Sequence, residues 1–163
     1  MQIHLLRHGI AENAKPDQPD SERALTPEGR KKLREVLKAA KAAEVKPSLI
    51  LTSPYRRALE TAEVAASVLG YKQELLRTKA LVPGGEPSGV WDEIRVHKGE
   101  SEILLVGHEP LFSQLTAYLV DAPSLLIDFK KGALVRIDME QFGARPRGIL
   151  RWLVPPKFAL AVE

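Results

Sequence analysis

Two histidines in this chain stand where apolar runs stop. Ile3-His4-Leu5-Leu6 ends in Arg7-His8-Gly9, and EILLVG (102–107) runs into His108-Glu109-Pro110. A third run, SLILTS (48–53), gives way to Pro54 and then Arg56-Arg57. A neutral imidazole carries a lone pair at one ring nitrogen and can attack an electrophile with it. An arginine presents a planar fork of donors that matches phosphate oxygens. A helix start offers free N–H groups and a positive dipole end, which also favour an anion. If the three runs are parallel strands, their carboxyl ends deliver all these groups to one edge of a sheet, where open α/β sheets bind ligands. The chemistry such a set can do is phosphate binding with two imidazoles in the pocket.

Helical phase separates the adjacent arginines. Arg56 shares a face with Glu60, Glu63 and Ser67, and Arg56–Glu60 forms an i, i+4 ion pair. Arg57 shares its face with Thr61, Val64 and Val68, which are expected to pack on the sheet. Arg57 is therefore the expected phosphate ligand and Arg56 a surface residue. Other candidates have plainer roles. His4 lies inside its strand and is expected to pack there. His97 is expected to be solvated at a helix end, and Trp91 and Trp152 to be packing residues. Ser53 either donates to phosphate or caps its strand.

The elements that must position these residues alternate between strand and helix. A strand covers 2–7, and a polar loop follows to about Ala24. Thr26 is a good N-cap and Pro27 suits the first helical position, opening a helix to about Ala43. Its apolar positions are Leu33, Val36, Leu37 and Ala40, at helical spacing. The second strand, 48–53, leads into a helix from Pro54 to Leu69, closed by Gly70. A short strand is expected near Glu74–Arg77, a turn-rich loop over 81–89, and a helix over Val90–His97. The strand 102–107 precedes a helix over Pro110–Val120, with Leu111, Leu115 and Leu119 on one face. The segments 133–139 and 149–154 read as an antiparallel pair at a sheet edge. Strands followed by helices imply right-handed βαβ units. Continuous apolar strands imply a sheet covered on both sides. The expected class is α/β, a three-layer α/β/α arrangement with a mostly parallel sheet.

Composition excludes several alternatives. The 163 residues suit one domain spanning 1–163, with 44% apolar and 28% charged residues. There is no cysteine, so disulfides and thiolate metal sites are ruled out. Two histidines without carboxylate or cysteine neighbours at zinc spacing imply no metal. A net charge of +3 leans towards anions without arguing for nucleic acid. No stretch is apolar for the roughly 20 residues a membrane span needs. No signal-peptide pattern opens the chain, so a cytoplasmic location is expected.

Four motifs in order resemble the histidine phosphatase superfamily: R-H-G after the first strand, L-T-P-E-G (25–29) at the first helix start, S-P-x-x-R-A-x-x-T-A (53–62) after the second strand, and G-H-E-P after the strand 102–107. Short length and the ending W-x-x-x-P (Trp152, Pro156) resemble most the bacterial protein-phosphohistidine phosphatases of the SixA type. The resemblance implies a phosphoglycerate mutase-like fold with the C-terminal β pair at the sheet edge. It implies that His8 takes the phosphoryl group as a phosphohistidine, while Arg7, Arg57 and His108 hold its oxygens. Gly9 would let the chain pass close to phosphate. Arg23 would reach in from the loop, and Ser53 and Glu109 would line the substrate. The expected partner is a phosphohistidine-bearing protein, a phosphotransfer domain or phosphotransferase-system component, with phosphate as product, no cofactor, and the enzyme a monomer.

Many members acting on esters carry a leaving-group acid in an L-x-E-x-x-x-G-x-W type of stretch. Here that region reads LVPGGEPSGVWDEI, and the acid is missing, with Glu86 out of register. An alkoxide is nearly as basic as hydroxide, whose conjugate acid has a pKa of roughly 15.7, and its departure wants a general acid. Imidazole, with a conjugate-acid pKa of roughly 6.5, departs far more readily. The pattern thus favours phosphohistidine as substrate. Only the stretch 63–107 separates the third motif from Gly107, where larger relatives insert capping segments, so the pocket is expected to be open. The alternatives are a small-molecule phosphomonoesterase using Glu86 as acid and a non-catalytic phosphohistidine-binding module; a mutase fits least.

Overall fold

The computed structural model describes residues 1–161. Six strands form one sheet: β1 (Gln2–Arg7), β2 (Leu49–Thr52), β3 (Leu76–Arg77), β4 (Glu102–Gly107), β5 (Leu134–Asp138) and β6 (Ile149–Val154). Their spatial order is β3-β2-β4-β1-β5-β6. β3, β2, β4 and β1 run parallel. β5 is antiparallel to β1, and β6 is antiparallel to β5. The C-terminal pair thus occupies one edge, and the architecture is the expected mostly parallel α/β sheet.

Among the described residues, five α-helices accompany it: α1 (Pro27–Ala42), α2 (Arg56–Leu69), α3 (Pro87–Val96), α4 (Leu111–Leu119) and α5 (Pro156–Ala161). α1 and α2 cover one face, where Leu33, Leu37, Ala58, Ala62 and Ala65 pack on Leu6, Ile50, Leu104 and Val106. α3 and α4 cover the other, where Val90, Trp91, Phe112 and Leu115 pack on Ile3, Leu5, Leu51 and Leu105. Burial on both faces explains the unbroken apolar runs: all of β2 and β4 is buried. Thr26 caps α1, its side-chain oxygen accepting from Gly29 N at 2.9 Å. α2 ends at Gly70, in the left-handed region at φ 76°.

Some boundaries differ from the expectation. α2 starts at Arg56 rather than Pro54, because Tyr55 is still extended and Ser53 Oγ accepts its N–H at 3.2 Å. α3 starts at Pro87 rather than Val90, since proline fits a first turn whose N–H has no intrahelical acceptor. α4 is one residue shorter at each end than 110–120. α5, packed on α1, had no expectation behind it. The loop before α1 contains a 3-10 turn at Asp20–Glu22.

Candidate active site

β1 and β4 are parallel neighbours with Arg7 level with Gly107, so His8 and His108 emerge side by side. Their ring centroids are 5.1 Å apart. β2 ends next to β4 and turns through Ser53 into α2, whose first turn carries Arg57 inwards, 4% exposed. Arg56 points outwards and pairs with Glu60 at 3.0 Å. Glu60 itself is not solvated, as a wholly polar face would require. It is 8% exposed, accepting from Leu25 N at 2.8 Å and pairing with Arg30 at 3.1 Å.

His8 Nδ1 lies 2.7 Å from the Gly9 carbonyl oxygen. A carbonyl only accepts, so Nδ1 carries the proton and Nε2 the lone pair. Arg57 Nε donates to that Nε2 at 3.3 Å. Burial, and then the charges of Arg57, Arg7 and Lys131, overcome the Gly9 hydrogen bond and lower His8 to about 3. His8 is therefore neutral at pH 7 and aims its lone pair at a cationic surface.

His108 is lowered to about 3 as well, first by burial, then by His8 and Arg57. Its Nε2 shares a 2.8 Å hydrogen bond with Ser53 Oγ, and Tyr55 meets its ring edge-on at 5.2 Å. Arg7 Nη1 donates to the Phe129 carbonyl at 2.6 Å. Among the described residues, Arg7 Nε and His108 Nδ1 are buried without a hydrogen-bond partner. Both belong to side chains beside His8, and an unpartnered buried N–H calls for an acceptor such as an anion's oxygen. Among the described residues no group of three or more His, Asp or Glu converges as a metal ion would need.

The structure thus brings together Arg7, His8, Arg57, His108 and Ser53. Gly9 lies against them, its carbonyl held by the His8 ring. A Cβ there would meet Leu33 Cδ1 at 2.7 Å, so its missing side chain serves the approach to α1. Its N–H donates to Thr61 Oγ1 at 3.2 Å. Arg23 stands one residue removed, bonding Asp20 Oδ1 at 2.9 Å, and Asp20 in turn holds Arg57. Glu109 turns to the start of α4, where Oε1 accepts from Ser113 N at 2.6 Å. Its charge still raises the pKa of Arg7, against the larger lowering by burial. Glu86 is exposed at the start of α3 and caps nothing. His4 is fully buried, its Nε2 3.0 Å from Glu102 Oε1 but not aligned as a hydrogen bond. His97 pairs with Glu93 at 3.6 Å, and Trp91 is buried in the core. Asp20, Tyr55, Lys131 and the Phe129 carbonyl lay outside the sequence expectation. They come from loops, where no periodicity says which way a group points.

A family model described as the histidine phosphatase superfamily (branch 1) matches residues 3–81. An uncharacterised protein of Picosynechococcus sp. is 32% identical over 113 residues, which cover 68% of this chain and 67% of that one. The phosphohistidine phosphatase SixA of Escherichia coli is 27% identical over 160 residues, 96% of this chain and 94% of that protein. A solved structure of the protein histidine phosphatase SixA complexed with tungstate superposes with a TM-score of 0.86 at 26% identity, covering 96% of this chain and 98% of that one. The architecture described above is that same phosphoglycerate mutase-like fold.

Proposed function

Because this chain belongs to the histidine phosphatase superfamily, we propose that it is a phosphohistidine phosphatase acting on a protein of phosphotransfer or phosphorelay type. The observation that carries this reading is His8 itself: a neutral ring, its proton tied to Gly9 O, and its Nε2 facing Arg57. The likeness to SixA along 96% of the chain supports the same substrate class.

The geometry supports the following steps. The substrate phosphoryl group seats against Arg57, with oxygens accepting from Arg7 Nε and His108 Nδ1. His108 donates from Nδ1 when Ser53 Oγ donates to its Nε2. His8 Nε2 attacks phosphorus and a new P–N bond forms as the substrate P–N bond breaks. The substrate's other ring nitrogen has taken a proton from water, so a neutral imidazole leaves. Water then attacks phospho-His8 and inorganic phosphate departs. His8 leaves neutral as well, because Nδ1 already holds its proton. The transition state is loose, with little covalent work for the protein beyond positioning and charge stabilisation.

Asp20 and Glu109, two carboxylates near the site, are already engaged. Asp20 bonds Arg57 and Arg23, and Glu109 caps α4. A substrate whose leaving group needs no acid suits that arrangement. The test compares a phosphohistidine-bearing protein with sugar phosphates, and wild type with Glu86→Gln. Faster phosphate release from the protein, unaffected by Glu86→Gln, is expected. Preference for sugar phosphates, with a large loss in Glu86→Gln, would replace this reading with a small-ester phosphatase.

A further inference from the structure

Arg57 donates from all three of its guanidinium nitrogens, using three of five N–H groups. Nε donates to His8 Nε2 at 3.3 Å, Nη1 to the Asp20 carbonyl oxygen at 2.8 Å, and Nη2 to Asp20 Oδ2 at 3.0 Å. The other Asp20 oxygen accepts from Arg23 Nε at 2.9 Å, and Arg23 Nη1 reaches the Glu12 carbonyl at 3.1 Å. The Asp20 carboxylate is therefore fixed from two sides. Its side chain is 55% exposed, whereas that of Arg57 is 5% exposed. The cation that faces His8 thus carries a resident, solvent-facing counter-anion. Arg7 is held differently, by the neutral carbonyl of Phe129.

A phosphoryl group placed between Arg57 and His8 must share the guanidinium with Asp20. Two anions on one guanidinium repel, and the repulsion scales with ligand charge. It acts hardest on free phosphate dianion, and on small substrates with a carboxylate or second phosphate beside the reacting group. It acts least on a phosphoryl group in flight between two neutral imidazoles, where the loose, metaphosphate-like transition state carries less charge. An interaction that disfavours the bound product more than the transition state favours turnover.

We propose that Asp20 is a specificity-determining residue: its carboxylate, clamped on the outer side of Arg57, competes with anionic ligands for that arginine, so that inorganic phosphate leaves readily and multiply anionic small substrates are excluded. This inference rests on the reading of the Arg57–His8 pocket as the phosphoryl site. A merely structural role for Asp20 predicts the opposite sign, because loosening Arg57 would weaken anion binding.

The experiment measures inhibition by inorganic phosphate during hydrolysis of phosphoimidazole, for wild type, Asp20→Asn and Asp20→Glu. Asparagine keeps an oxygen for Arg57 Nη2 and the main-chain carbonyl for Nη1, and removes the charge together with the acceptor for Arg23 Nε. The phosphate inhibition constant is expected to fall about tenfold in Asp20→Asn, and to stay near wild type in Asp20→Glu. Calorimetric titration of phosphate reads the same quantity if turnover falls in a variant. Unchanged or weaker phosphate binding in Asp20→Asn, with wild type active and inhibited by phosphate, overturns the role of Asp20 alone. A wild type that neither hydrolyses phosphoimidazole nor binds phosphate overturns the pocket reading instead.

Discussion

His8 and His108 owe their neutrality first to burial and only then to the charges around them, the arginines at His8, and His8 followed by Arg57 at His108. That order has a consequence for stability. Each ring is lowered to about 3 in the folded chain, while an unfolded histidine titrates near 6.5. Between these values the unfolded chain binds more protons than the folded one, so stability falls as pH drops through roughly 6.5 towards 3. The slope approaches about 1.4 kcal/mol per pH unit for each such histidine. Urea unfolding at pH 7 and pH 5 should show wild type losing more stability than His8→Ala over that interval. Equal losses would mean that His8 is not held neutral. The arginines that disfavour a charged His8 are legible in the motifs. The larger cause became visible only with the fold, because burial depends on what α1 and α2 lay over the end of β1.

Short stretches with a period or a cap were the most legible. Helical phase set Arg57 inwards and Arg56 outwards before any coordinates were needed, and both point that way. The Thr26 cap of α1 was equally readable, and it serves more than its helix. Thr26 Oγ1 accepts from Gly29 N at 2.9 Å and donates to Ile10 O at 3.3 Å, while Thr26 N donates to that same carbonyl at 2.9 Å. The cap therefore ties α1 to the chain just beyond His8-Gly9. Thr26→Ala should cost about 1 kcal/mol in thermal or urea unfolding, with Thr26→Ser keeping most of it. A loss within error would mean that the hydroxyl contributes nothing to the junction. Less legible were the segments without a period. Asp20 lies in a polar loop that could face anywhere, and its grip on Arg57 needed three-dimensional closure. Lys131 and the Phe129 carbonyl reach the site from the connection between α4 and β5, remote from the motifs. α5 was not legible because six residues are too few to show a helical period; Pro156 opens it.

In the molecule as a whole, strand order does most of the assembling. Placing β4 between β1 and β2 gathers three carboxyl ends that lie far apart in sequence. Right-handed crossovers and continuous apolar strands made that sheet foreseeable, and the motifs then fell at its edge. The stretch between α2 and β4 contains only β3, a 3-10 turn and α3. That short stretch supports the proposed substrate, a phosphohistidine on another protein. The most direct test is phosphate release from a phosphohistidine-bearing protein, alongside p-nitrophenyl phosphate, for wild type and His8→Ala. Fast release from the phosphoprotein by wild type, abolished in His8→Ala, is the result predicted. Equal release by the two enzymes would contradict it, since phosphoryl transfer would then proceed without the imidazole at the end of β1.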